Sequence, residues 1–143
     1  VYRLTSGGSG IMSNRSATSG WAIQVQSAGD VIFRANINGT YSDFRMQTAT
    51  GLVPVGVLTH IAVARSGTSW VIAVNGAIAA TLTSGGALGA YLSPPSVILG
   101  ASSAAFETPM NGHLAGVRIT KGSSRGYTSA FIPPALPYYA PVH

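Results

Sequence analysis

Residues 57 to 85 read VLTHIAVARSGTSWVIAVNGAIAATLTSG, and they divide into three extended segments. Ser66-Gly67-Thr68 separates the first from the second, and Asn75-Gly76 separates the second from the third. Asn-Gly is a preferred pair for a type I′ hairpin turn, because both residues tolerate positive φ. In the middle segment Trp70, Ile72 and Val74 share one face, the period of two that a β-strand imposes. Val71 and Ala73 make the other face apolar too. Two readings of that second face stay open. Either the strand is covered on both sides, by a partner sheet and by a loop such as residues 86–95, or Val71 and Ala73 meet another subunit.

The same period runs through the preceding chain. WAIQVQ (21–26) sets Trp21, Ile23 and Val25 against Ala22, Gln24 and Gln26. In DVIFRANING (30–39), Val31, Phe33, Ala35 and Ile37 point inward, with Arg34, Asn36 and Asn38 outward. SDFRMQT (42–48) places Phe44 and Met46 opposite Asp43, Arg45 and Gln47. The turns SAGD (27–30) and INGTYSD (37–43) divide these segments. Short alternating strands at this spacing, with no 3.6-residue period, predict an all-β antiparallel sandwich.

Composition narrows the class. The chain has 143 residues, enough for one domain with a real core. Charged residues make up only 8% of it and apolar residues 46%, against roughly 25% charged in average domains. Such a surface of hydroxyls, amides and backbone suits an extracellular or virion β-protein. The net charge of +5 comes from scarce acids. Arg3, Arg15, Arg34, Arg45, Arg65, Arg118, Lys121 and Arg125 are dispersed, which predicts solvent-facing arginines and no nucleic-acid face. There is no cysteine, hence no disulfide or thiolate chemistry. No apolar run approaches the ~20 residues that span a bilayer, and no signal peptide is read.

Catalytic and metal patterns are sparse. Asp30, Asp43 and Glu107 are the only acids, and no closely spaced pair flanks a site as glycoside hydrolysis requires. Asp30 and Asp43 sit at turns or strand edges, where Asp bonds nearby backbone. His60, His113 and His143 form no zinc-ligand spacing, so no metal or cofactor is expected. The glycine-rich SGGSG (6–10) and SGGALG (84–89) read as turns. Tyr41, Tyr91, Tyr127, Tyr138 and Tyr139 fall in loop-like or terminal segments. Aromatic planes there can pack on sugar rings, with Asn and Ser bonding their rims.

NGHLAGVRITKGSSRGYTSAFIPP (111–134) closes the alternating pattern. Val117 and Ile119 are expected on the core face of a last long strand, with Arg118 outward. Lys121-Gly122 begins the turn out, and Phe131 anchors the returning chain. Arg125 and Tyr127, between strand and anchor, are candidates for ligand contact.

Taken together, Thr59 to Arg65, Trp70 to Gly76, the glycine-bounded VILG, Asn111 to Gly122, and Arg125 through Phe131 to Pro134 closely resemble the laminin-G-like, concanavalin A-like jelly-roll domains. The likeness is greatest to those of bacteriophage tail and other virion proteins. Two positions depart from the pattern: Leu58 stands where the family often has Trp, and Gly126 interrupts an Arg-Tyr pair. The acidic catalytic strand of enzymatic relatives and the loop acids of calcium-binding laminin-G modules have no counterpart here. The resemblance therefore implies a non-catalytic jelly-roll domain over residues 1–136, with a Pro-rich extension over 137–143. VYRLTSGGSGIMSNRS resembles the end of an early strand and its turn, so the first strand is expected upstream of residue 1.

The function this implies is a virion surface module, on a tail fibre, tail tip or head decoration, that binds host cell-surface carbohydrate. Its expected ligand residues are Tyr41, Tyr91, Arg125 and Tyr127. Neighbouring virion subunits are the expected protein partners, through Val71, Ala73, Tyr138 and Tyr139. A homo-oligomer, a trimer in a fibre, is among the assemblies implied. The alternative is a structural assembly or decoration domain without a glycan ligand. A hydrolase is the third reading.

Overall fold

The alternating segments become a meander of hydrogen-bonded strands. The computed structural model describes residues 1–15, 20–36, 44–86, 96–103 and 107–135. Its strands are β1 (Tyr2–Arg3), β2 (Ser9–Arg15), β3 (Gly20–Val25), β4 (Val31–Ala35), β5 (Phe44–Gln47), β6 (Ile61–Ser66), β7 (Ser69–Val74), β8 (Ala77–Thr83), β9 (Ile98–Leu99) and β10 (Gly112–His113). They form a five-stranded sheet ordered β5-β4-β3-β2-β9, a three-stranded sheet ordered β6-β7-β8, and the pair β1-β10. Every pairing between these strands is antiparallel. The fold is an all-β sandwich. Among the described residues no helix is long and apolar enough to cross a membrane.

The core lies where the predicted inward faces meet. Ile23, Val25, Val31, Phe33, Phe44 and Met46 of the large sheet pack with Trp70, Ile72 and Val74 of the small one. The Trp70 ring centroid is 5.6 Å from that of Phe33 and 4.7 Å from that of Phe44. Burying each such side chain stabilises the fold by roughly 1.5–3 kcal/mol, so the aromatic trio dominates the contact between sheets. Val74 pairs with Ala77 across the Asn75-Gly76 turn. Asn75 (φ 50°) and Gly76 (φ 82°) both take the positive φ that a type I′ turn requires.

Four expectations change. Val71 and Ala73 are 1% and 0% exposed, so β7 is covered on both faces within the chain and these residues offer no surface to another subunit. Asn36, expected outward, is buried. Ile32, on the face expected to be wet, is also buried; the ladder sets it between Gln24 and Gln47, whose aliphatic stems can shield it.

Arg3 is the third change: it is not on a solvent face but 1% exposed. Its guanidinium donates to the Val53 carbonyl at 2.6 Å and the Gly7 carbonyl at 3.4 Å, with the Ser27 carbonyl at 3.5 Å. Backbone dipoles hold this cation, and it has no acidic partner among the described residues. Such bonds are needed, because an unpaired buried charge is costly.

The last long strand is the fourth. Only Gly112–His113 is strand, paired with β1, and Val117 and Ile119 are 46% and 56% exposed. Two physical reasons account for this. Gly116 takes φ 61°, which breaks the extended run, and among the described residues no strand pairs with residues 115–121 to supply a ladder.

Candidate functional site

That missing neighbour leaves a cleft of about 1460 Å³. One wall is residues 58–67, which include β6; the other is residues 114–125; Ile11, Ile23, Phe33 and Trp70 form its floor. The cleft lies between the two faces of the sandwich where the core stays open.

Its polar lining is basic. Arg65, Arg118, Lys121 and Arg125 line it together with His60, and no carboxylate among the described residues does. The Arg65 guanidinium lies 4.7 Å above the Trp70 ring, and its Nε donates to the Gly67 carbonyl at 2.8 Å. Both described acids are engaged elsewhere. Asp30 accepts a hydrogen bond from Gln47 at 2.6 Å, and Glu107 pairs with Arg15 at 3.1 Å. No group of three or more His, Asp or Glu side chains gathers among the described residues.

Of the predicted ligand residues, Arg125 and Tyr127 line the same cleft. Tyr41, Tyr91, Tyr138 and Tyr139 lie outside the described residues. Arg125 and Gly126 form the middle of a tight turn, φ 54° and 78°, closed by Tyr127 N–H donating to the Ser124 carbonyl at 3.0 Å. The Ser123 hydroxyl accepts the Arg125 N–H at 3.1 Å. Positive φ is uncommon for a residue with a side chain, and Gly126 lets the turn complete. The departure at Gly126 thus has a role: it turns Arg125 out to solvent, where its guanidinium bonds nothing among the described residues.

Tyr127 is fixed from below. Its ring stacks on Phe131 at 4.1 Å with planes 17° apart, and His60 meets both rings edge-on. The Phe131 N–H donates to the Gly76 carbonyl at 3.0 Å, so the expected anchoring by Phe131 holds. His60 is tied to the same turn, donating its N–H to Asn75 Oδ1 at 2.9 Å. Burial, and then the positive Val1 α-amino group, push the His60 pKa below its usual value. His60 had no sequence signal beyond strand alternation, since the rings that surround it lie far along the chain.

A family model described as the concanavalin A-like lectin/glucanases superfamily, laminin G type 3, matches residues 2–124. The chain belongs to this superfamily. No curated protein and no solved structure matches it. The superfamily match spans β1 to β10 and the basic residues Arg65, Arg118 and Lys121. It stops one residue before Arg125, so the exposed guanidinium and Tyr127 are features of this chain beyond the matched core.

Proposed function

We propose that this domain is a non-catalytic carbohydrate-binding module carried on the outside of a virion, recognising host cell-surface glycan at the rim formed by Ser123, Ser124, Arg125 and Tyr127. Membership in a lectin-containing superfamily supports the ligand class, although an architecture alone hosts many functions. The observation that carries the reading is the rim turn. It exposes Arg125, whose guanidinium bonds nothing among the described residues, two positions before an aromatic ring that is braced by Phe131 and His60. Hydroxyls and a guanidinium suit sugar hydroxyls or an acidic sugar, and the ring suits a sugar's C–H face. The virion setting rests on the resemblance of the Thr59–Arg65, Trp70–Gly76 and Asn111–Gly122 motifs. Binding of the domain to arrayed host polysaccharides and whole cells, with Arg125→Ala as the comparison, tests it. Failure to bind any of them rejects the reading.

A second reading, an assembly or decoration module, is favoured by Val57, Leu58, Val117 and Ile119, which are exposed on or near the cleft walls. Particles lacking the domain that lose stability yet adsorb normally would select it.

A further inference from the structure

The eight basic residues are scattered along the sequence, and folding sorts them. Arg3 is buried and held by backbone carbonyls, and Arg15 pairs with Glu107. Arg34 and Arg45 stand opposite each other on β4 and β5, where Arg45 donates to Gln47 Oε1 at 2.6 Å. The other four, Arg65, Arg118, Lys121 and Arg125, all line the cleft. They approach it from two sides: Arg65 stands on the wall that includes β6, and the rest stand on residues 114–125. No carboxylate among the described residues faces them there. A cleft lined by one sign of charge with low-dielectric walls focuses its field on whatever enters.

The lining narrows what can enter. Arg65 is held in place over Trp70 and through its Nε on the Gly67 carbonyl, which leaves its two terminal nitrogens to grip an anion. Arg118 and Lys121 are exposed. The cleft also holds two buried atoms without a hydrogen-bond partner, Asn14 Oδ1 and His60 Nδ1. Asn14 is 4% exposed, and its Nδ2 donates to the Ser96 carbonyl at 2.5 Å, which fixes the amide. A buried acceptor ordinarily has a donor; a bare anion brings none, whereas a sugar hydroxyl does. Single small molecules occupy pockets of roughly 300–1,000 Å³, and this cleft, at about 1460 Å³, has room for several sugar units. Phe33 and Trp70 spend their faces on each other, on Phe44 and on Arg65, so they give a strand of bases no stacking platform.

We propose that the cleft takes a polysaccharide whose acidic groups, carboxylate or sulfate, repeat along the chain. Arg65 holds one anion from the β6 wall, Arg118 and Lys121 hold others from the facing wall, and Asn14 Oδ1 accepts a sugar hydroxyl. The inference rests on the glycan reading and gives it a substrate class: the rim at Arg125 and Tyr127 meets the chain where it leaves the cleft. One cation would suit a single acidic sugar. Four of them on two walls suit a ligand that carries charge at intervals. Val117 and Ile119 flank Arg118 and are exposed along the same wall, so cation and apolar surface alternate there. An acidic glycan alternates in the same way, with C–H faces between its charged groups.

Calorimetry on the domain tests this with polygalacturonate, the same polymer methyl-esterified and so uncharged, dextran sulfate, dextran, and a single-stranded oligonucleotide of matched charge. At least one acidic polysaccharide is expected to bind about ten-fold or more tighter than its neutral counterpart. That preference is expected to shrink as salt rises from roughly 0.05 M to 0.5 M. Which of polygalacturonate and dextran sulfate leads assigns the anion. Arg118→Gln combined with Lys121→Gln, both at exposed positions, is expected to cut the preference about five-fold or more with the melting temperature unmoved. Arg65→Gln is expected to cut it likewise, and Arg65→Lys to restore only part, since lysine lacks the planar fork. Neutral and acidic forms bound equally overturn the inference and leave the glycan reading intact. Silence across all five probes overturns the inference alone, because the host-polysaccharide array decides the broader reading. Oligonucleotide bound as tightly as the acidic polysaccharides overturns it, as does galacturonate monomer bound as tightly as its polymer. A preference that survives the wall variants and depends on Arg125 alone also overturns it.

Discussion

Gly76 and Phe131 are pressed together. The Gly76 carbonyl accepts the Phe131 N–H at 3.0 Å, and the Phe131 carbonyl oxygen stands where a β-carbon on residue 76 would be. The Asn75-Gly76 hairpin turn is thus the dock for the closing segment. Gly76→Ala adds a methyl group against backbone and forces φ 82° on an alanine. The expected loss is about 2–4 kcal/mol, read from denaturant midpoints. Gly67→Ala, with positive φ but open space around it, is the comparison and is expected to cost about 1 kcal/mol.

Arg3→Ala removes the donor that satisfies the buried Val53 carbonyl. A loss of about 2–4 kcal/mol follows from unsatisfied buried acceptors and the space left behind. Arg3→Lys keeps the charge but cannot reach several carbonyls in a planar fork, so it recovers less than half. Unfolding curves for the two variants check the order; full recovery by lysine would show that charge alone matters.

On the proposed glycan reading, ligand contact and folding separate at Arg125. Arg125→Ala is expected to leave the melting temperature within a degree or two of the parent, because its guanidinium bonds nothing among the described residues, yet to weaken the proposed glycan binding about ten-fold or more. Tyr127→Ala loses the stack on Phe131, so it is expected to lower both binding and stability, the latter by about 1 kcal/mol. Calorimetry on both variants against one bound polysaccharide reads the difference.

His60 gives a pH dependence with a definite sign. Its folded pKa lies below the usual 6.5, burial being the main cause and the Val1 α-amino charge the second. Above that value the imidazole is neutral in both states and its contribution is complete. As pH falls through it, the unfolded chain binds a proton first, so stability declines and levels off below the folded pKa. Midpoints measured between about pH 7.5 and pH 5 should fall less steeply in His60→Gln. Parallel slopes in the two proteins would remove His60 from the account.

Much of the architecture is written locally. Val31, Phe33, Phe44 and Met46 alternate inward as their spacing requires, and Asn75-Gly76 makes its hairpin, because both signals depend on adjacent residues. The final strand is different. Val117 and Ile119 carry the alternation, but a ladder needs a neighbour, and the space beside them is the cleft. Arg3 was unreadable for a related reason: its partners are carbonyls of Gly7, Ser27 and Val53, which any sequence would supply. At the candidate site, Arg125 and Tyr127 were legible as polar and aromatic residues of a closing loop. The brace beneath Tyr127 was not, since His60 and Phe131 meet only through the Asn75-Gly76 turn.

Holding an interior cation with carbonyls also decides how the protein responds to ionic strength. Dissolved salt does little to a shielded dipole clasp. The Arg15–Glu107 pair is the one ion pair among the described residues, and its carboxylate is half exposed, so screening it forfeits little. What salt does reach is the mutual repulsion behind the net charge of +5. Added electrolyte should therefore leave this domain as firm as before or firmer, so its fold does not depend on the ionic strength of the water around it.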